Sequence, residues 1–283
     1  MSCKSRFGLI VVVLFSMSAL CFGWGDTGHK AAAQIAAERL TPEARKAVRE
    51  LLGEQSMADV ARWADEVRGE SRYKWSARLH TAKISPGFDT FDSKRDCPEK
   101  GCAVSAVGRF AAVLRDPSAD KEQKVEALKF LIHFVGDVHQ PVHVTGDGTK
   151  GVTTEVDFFG EKVGYHKMWD SAIIDKGGKS WQQYAKELQK RITEQQVKEW
   201  SKLDPALWAT ESYRINCRGV QAMPKDKRIT QEYCDKFVPM LEERVCMAGV
   251  RLALLLNDIY ANPTTQPAQP AAAAAPALVP AGR

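Results

Sequence analysis

Past its first two dozen residues the sequence has no apolar run long enough to cross a bilayer, no internal repeat, no linker and no polybasic tract. The missing apolar run excludes a membrane-spanning mature chain and leads us to expect a soluble one. The missing repeat and linker leave one stretch of roughly 240 residues for a single core. The net charge is small as well. The formal net charge of +5 includes Lys4 and Arg6, which precede an apolar run from Gly8 to Leu20. That pattern is read as a secretory signal peptide over residues 1–23, removed after Gly23 to leave Trp24 first. The remaining +3 permits a polyanionic partner without arguing for one. Residues 261–283 hold almost no charge and few large apolar groups, so a disordered Ala/Pro-rich tail is expected beyond a domain over 24–260. The protein is therefore expected to be exported, secreted or periplasmic, with no membrane association after cleavage.

Of the seven cysteines, five lie in the mature chain: Cys97, Cys102, Cys217, Cys234 and Cys246. An exported protein can keep disulfides. Cys97 and Cys102 enclose Pro98 and Gly101 in a tight loop and form the first candidate bridge; Cys217 with Cys234 is the second. Cys234 and Cys246 fall on one predicted helix and cannot meet.

The pattern of elements is mainly α, a multi-helix bundle of eight or nine helices with a short β-hairpin. Helices are predicted over Gly28–Leu40, from Thr41-Pro42 to Leu52, and from Ser56, where Asp59 completes a capping box. The Ser56 helix carries Trp63, Asp65 and Arg68. Residues Ser85 to Gly101 read as a long surface loop. Further helices are predicted over Val104–Arg115, Asp120–His139, His166–Ile174, Trp181–Gln195, from Asp204-Pro205 through Cys217, and over Thr230–Tyr260 with a bend near Pro239. The β-branched and aromatic residues Val152 to Phe159 supply the hairpin, the only expected sheet.

Histidine is scarce too, with six in the chain, yet three fall between His133 and His143 in otherwise apolar sequence. His133 and Asp137 are four apart and share a helix face, and Pro141 ends that helix just before His143. A buried helix gains nothing from such groups unless something pairs with them. His166 and Asp170 repeat the spacing, and His29, Asp65 and His80 lie upstream. Imidazole and carboxylate at helical and loop spacings are the donors of zinc sites.

Trp24-Gly25-x3-His29, Trp63-Ala64-Asp65, Leu79-His80, His133-x3-Asp137-x-His139-Gln140-Pro141-x-His143, His166-x2-Trp169-Asp170 and Gly249-Val250-Arg251-Leu252-Ala253-x3-Asn257 occur in that order. Together they resemble the trinuclear-zinc single-strand nucleases and 3′-nucleotidases, the nuclease S-one/P-one family, which is distantly related to bacterial zinc phospholipase C and shares its helical fold. The resemblance spans about Trp24 to Tyr260. It implies three Zn2+ per chain: one held by Asp65, His80, His133 and Asp137; a second by His143, His166 and Asp170; and a third by the amine and carbonyl of Trp24 with His29, Asp137 bridging to the first. It also implies hydrolysis of single-stranded DNA or RNA to 5′-phosphates, and of 3′-nucleotides, by attack of a metal-bridging hydroxide. Arg68 would steady the phosphoryl oxygens and Asp65 would assist as a base. His139 is not a ligand in this scheme. Single-stranded nucleic acid or a 3′-nucleotide is the expected partner, of a monomer with no stable protein partner.

Three positions depart from the family pattern. Thr81 follows His80 where an aromatic commonly stacks a base, Gly164-Tyr165 precede His166 in place of Asn-Leu, and Gly148-Thr149-Lys150-Gly151-Val152 replaces a Gly-Gly-Asn segment. Tyr165 is a candidate substitute for the lost stacking surface. A zinc phospholipase C on the same fold, or a non-catalytic zinc-binding protein, are the competing readings. Against the first stand Asp170 where those lipases have glutamate, and the short gap from Trp24 to His29.

Overall fold

The computed structural model describes residues 24–261. The expected signal peptide and the tail after Ala261 lie outside the described residues. The chain is mainly helical, as the sequence predicts.

Helix α1 (Asp26–Glu38) and α2 (Pro42–Leu52) meet at Thr41, whose hydroxyl accepts from the Ala44 amide as an N-cap. Asn257, from the C-terminal motif, locks this corner by accepting from Thr41 N and donating to Arg39 O. The helix expected from Ser56 starts later. Ser56 and Asp59 do exchange hydrogen bonds, but residues 57–62 form successive turns, and helix α3 covers only Trp63–Val67. In this stretch Ala61 N and Trp63 N reach back three residues rather than four, and the Ala61 carbonyl is taken by His133.

A 3-10 segment, Lys74–His80, leads into strand β1 (Ala82–Lys83). The loop after it contains one short helix, α4 (Ser93–Asp96). Helices α5 (Ala103–Arg115) and α6 (Lys121–His139) follow, the latter capped by Asp120. From Ala127 to His139 every α6 residue except Lys129 is buried, the signature of a central helix packed on all sides. It contacts α1, α2, α3, α5 and α12.

Pro141 ends α6 as expected and opens a 3-10 turn to His143. Strand β2 (Val144–Thr145) then pairs in parallel with β1. Strands β3 (Glu155–Phe158) and β4 (Glu161–Gly164) form the predicted hairpin. Its two-residue turn, Phe159-Gly160, has positive φ at both positions, as a type I′ turn requires. The hairpin is not the only sheet. Besides the β1–β2 pair, strand β5 (Arg228–Ile229) adds to β3; two-residue strands carry too little alternation to be seen in sequence.

The helix expected over His166–Ile174 is three pieces: α7 (Tyr165–Lys167), a π-turn at Met168–Ala172, and α8 (Ile173–Asp175). The next prediction also divides. Helix α9 (Trp181–Arg191) stops, and Thr193 caps a separate α10 (Glu194–Glu199). Helix α11 (Pro205–Gln221) begins at the Asp204 cap, and α12 (Gln231–Ala261) runs through Pro239 to the end of the described chain.

Two apolar clusters fill the interior. One gathers α2, α5, α6 and the last turns of α12; the other gathers the hairpin, α9 and the first half of α12. The Cys97–Cys102 disulfide is formed. The proposed Cys217–Cys234 pairing is not: Cys217 sits against Gly148 and Tyr213 at the edge of the first cluster, while Cys234 is buried in the second.

Candidate metal centre

Eight of the nine sequence-selected ligand residues contribute side chains to one buried locality. Helix α6 supplies His133 and Asp137, with His133 Nε2 3.1 Å from Asp137 Oδ2. The 3-10 segment before β1 brings His80, whose Nδ1 is 3.0 Å from the same Asp137 oxygen. Helix α1 brings His29, its Nε2 3.5 Å from Asp137 Oδ1. The turn after Pro141 brings His143, with Nδ1 3.1 Å from Asp137 Oδ1 and Nε2 3.5 Å from Asp170 Oδ1. His166 Nε2 lies 3.0 Å from Asp170 Oδ2 across the π-turn. Asp65, on α3, is 3.5 Å from His80 Nδ1. Asp137 therefore stands at the centre, with four imidazoles around one carboxylate.

Three sets have donor atoms that lie within 4.8 Å of one another: His29, Asp65 and His133; His80, His133 and Asp137, which shares His133 with the first; and the separate set His143, His166 and Asp170. The ninth residue, Trp24, is fully buried beside them. Its indole donates to Gly136 O at 2.9 Å, and Gly25 N donates to Asp170 O at 2.6 Å. The Trp24–Gly25 segment thus hangs between the two carboxylate-bearing segments.

The chemistry of this cluster fits a bound cation group. Both oxygens of Asp65, Asp137 and Asp170, both ring nitrogens of His29, and Nε2 of His80 and His143 are buried without a hydrogen-bond partner. Buried polar atoms are otherwise almost always paired, and orphans that converge on one another as imidazole and carboxylate are the donors divalent metals take. Burial opposes ionisation of Asp137, but the charges of His133 and His143 hold its carboxyl well below the usual range. Burial, with the His133 charge, pushes His29 down to about 4, which leaves its imidazole neutral at ordinary pH, the form a metal takes.

Groups that sequence reasoning missed fix the donors in place. His133 Nδ1 donates to Ala61 O at 2.8 Å, and His143 Nδ1 donates to His80 O at 2.8 Å. Each bond sets the tautomer and leaves Nε2 for a metal. The diverted Ala61 carbonyl is the same one that the turns before α3 leave out of a helix. Gly136 admits the His29 ring, since a Cβ there would lie 2.7 Å from His29 Nδ1. Gly136→Ala should displace that ring at a cost of about 1–3 kcal/mol. Thermal unfolding would register the loss, and metal content would fall with it; an unchanged midpoint and stoichiometry would contradict this packing.

His139 faces elsewhere. Its Nδ1 donates to Val135 O and its Nε2 accepts from Arg251. Burial and the charges of Arg244 and Arg251 hold it neutral, well below its ordinary value. Arg68 is 15 % exposed, with Nη1 3.2 Å from Asp65 Oδ1. Tyr165 offers no stacking surface, because it is fully buried and its hydroxyl is bonded to that of Tyr233. Thr81 is exposed, and its carbonyl accepts from Ala103 N.

The model of the S1/P1 Nuclease family matches residues 24–261. Similar proteins include Endonuclease 2 of Arabidopsis thaliana, 33 % identical over 89 % of this chain and 96 % of its own length. Nuclease P1 of Penicillium citrinum is 32 % identical over 84 % of the chain and 98 % of its own length. Nuclease S1 of Aspergillus oryzae is 29 % identical over 90 % and 98 % respectively.

Proposed function

The chain belongs to the S1/P1 nuclease family, and on that premise we propose that it is an exported, zinc-dependent phosphodiesterase. Its substrates are single-stranded DNA or RNA, cleaved to 5′-phosphate products, and 3′-nucleotides. The observation that supports this reading is the convergence of orphaned buried histidine and aspartate atoms around Asp137. Three zinc ions would be held: one by Asp65, His80, His133 and Asp137, one by His143, His166 and Asp170, and one by His29, Asp137 and the backbone of Trp24. When bound, zinc supplies a water acidic enough to react near neutral pH and draws charge from phosphoryl and leaving oxygens.

The chain's own groups do the rest. Asp137 and the histidines around it exclude solvent and fix the donor geometry, so little reorganisation accompanies reaction. Arg68 donates to the non-bridging phosphoryl oxygens, its guanidinium held near the site by Asp65. Asp65, beside Arg68, is the carboxyl placed to assist as a general base. Purified protein beginning at Trp24 should degrade single-stranded DNA and RNA, release phosphate from a 3′-nucleotide, and lose all three activities to a chelator, with zinc restoring them. Metal-loaded protein inert on all three substrates would refute the reading, and release of phosphocholine from lecithin without nucleotide products would replace it.

A further inference from the structure

Only two large hydrophobic side chains among the described residues are exposed, Phe88 at 49 % and Phe159 at 46 %. Phe159 occupies the hairpin turn. No turn demands an aromatic at Phe88, and a polar residue would serve the chain there as well. An isolated exposed apolar group is ordinary, and Phe159 also carries a cation over its ring, Lys176 Nζ at 4.0 Å from the centroid; what sets Phe88 apart is that its cation is itself held by hydrogen bonds.

The Arg95 guanidinium lies 3.6 Å from the Phe88 ring centroid. Arg95 is itself clamped. Its Nε and Nη2 donate to the two oxygens of Asp96 at 2.8 and 2.6 Å, and Nη2 also donates to Thr90 O at 2.5 Å. Asp96 is buried and accepts in addition from the amides of Ser85 and Asp92, closing the loop on itself. The result is an aromatic plate with a fixed cation on one face and solvent on the other, ordered before any ligand arrives. Such pre-organisation removes much of the entropy that binding would otherwise cost.

The plate is tied to the metal centre by short covalent paths. Strand β1 begins two residues after His80, and β2 begins immediately after His143. The two strands pair, Ile84 N continues the pairing to Thr145 O, and Gly87 N then donates to Asp147 Oδ2. Thr81 and Lys83 are exposed on one side of β1 while Ala82 and Ile84 are buried. The exposed edge therefore runs from His80 past Thr81 and the Lys83 ammonium toward Phe88, a path on the order of 13 Å from Thr81 to Ser85 in extended chain. The Asp147 carboxylate beside this path is occupied by the Gly87 amide and faces Lys150.

We propose that Phe88, backed by Arg95, stacks an unpaired base of a single-stranded polynucleotide whose backbone follows Lys83 away from the metal centre. The inference rests on the proposed function and supplies the stacking surface that Thr81 cannot. Aromatic plates beside cationic side chains hold single strands without reading their sequence, because every base presents a π-face, whereas inside a duplex both faces are covered by the neighbouring base pairs. The site accordingly favours unpaired over duplex substrate.

The test is steady-state cleavage of a labelled single-stranded oligonucleotide by the wild-type protein, Phe88→Ala, Phe88→Trp and, as a control for exposed aromatics, Phe159→Ala. Phe88→Ala should raise KM about tenfold, within the range for loss of one stacked base, with kcat within about twofold and an unchanged unfolding temperature. Phe88→Trp should restore the low KM, and Phe159→Ala should match wild type. An unchanged KM in Phe88→Ala, a fall in kcat at constant KM, or an equal effect of Phe159→Ala would overturn the proposal and leave the proposed function standing. A metal-loaded wild type that cleaves no oligonucleotide would overturn the proposal too, and one inert on a 3′-nucleotide besides would remove the proposed function beneath it.

Discussion

Asp137→Asn is expected to abolish zinc retention at more than one site and to reduce phosphodiesterase activity by more than about 100-fold. That factor is the upper end for disturbing groups that merely orient metal ligands; Asp137 is closer than that. Its two oxygens lie 3.0–3.5 Å from donor nitrogens of His29, His80, His133 and His143. The substitution keeps the volume and removes the anion, so four buried imidazoles would face one another around a neutral amide. Zinc content by elemental analysis, beside kcat/KM on single-stranded DNA, measures both halves of the expectation. Loss of one zinc with the other sites full would show that Asp137 serves a single metal. Retention of all the zinc would show that it serves none.

The second large effect lies behind the site. Arg244 and Arg251 are almost completely buried, and Glu211 is their counter-charge, accepting from Arg244 Nη1 at 2.6 Å and from Arg251 Nη1 and Nη2 at 2.7 and 3.0 Å. Burial alone would raise the Glu211 carboxyl, but the Arg251 bonds and both guanidinium charges hold it below the usual range. The cluster also finishes α6. Arg244 Nε donates to His139 O, and Ser212, itself bonded to Arg244, donates to Val138 O. With Trp24 on Gly136 O and the Gln140 amide on Asp137 O, these bonds satisfy the last four carbonyls of α6, groups a helix cannot pair internally.

Glu211→Gln would leave two buried cations unbalanced. Breaking a buried pair from one side costs about 3–5 kcal/mol, and because Glu211 is one quarter exposed the lower end, about 3 kcal/mol, is expected. Denaturant unfolding of the zinc-loaded protein would measure it. The pH dependence has a definite sign. Because the folded carboxyl is depressed, its contribution is present above the ordinary glutamate range and lost as pH falls through the folded value. Glu211→Gln should therefore lose stability at neutral pH and much less in strong acid. A variant as stable as wild type at neutral pH would show that the arginines are satisfied by carbonyls alone.

What the sequence made legible divides along one line. His133–Asp137 and His166–Asp170 could be paired on paper because a helical turn sets their neighbours, and Pro141 marked where α6 must stop. Eight of the histidine and aspartate side chains in those motifs gather in one locality. The supporting groups were invisible for the opposite reason. Ala61 acts through a carbonyl, which every residue possesses, and Gly136 acts by having no side chain. Glu211 meets Arg244 across 33 residues with no spacing rule to suggest it. Arg251 and Asn257 were conspicuous as a motif, but only the fold shows that one closes the charge cluster and the other locks the α1–α2 corner.

The misplaced elements have the same cause. Local capping at Ser56 and Asp59 formed as written, yet His133 takes the Ala61 carbonyl that a continuous helix would need. Tyr165, attractive as an exposed stacking group, is drawn inside by Tyr233 and Trp169. Tertiary demand overrode local preference where the chain serves the site, as expected of functional regions.

Anomalous diffraction at the zinc edge, from crystals of the protein beginning at Trp24, tests most directly whether the buried histidine–aspartate cluster holds metal. Three peaks are predicted, each about 2.0–2.2 Å from its ligand nitrogens and oxygens: one among Asp65, His80, His133 and Asp137, one among His143, His166 and Asp170, and one beside His29 and Trp24. A map with no peak near Asp137, in zinc-supplemented protein that is folded and active, would contradict the account.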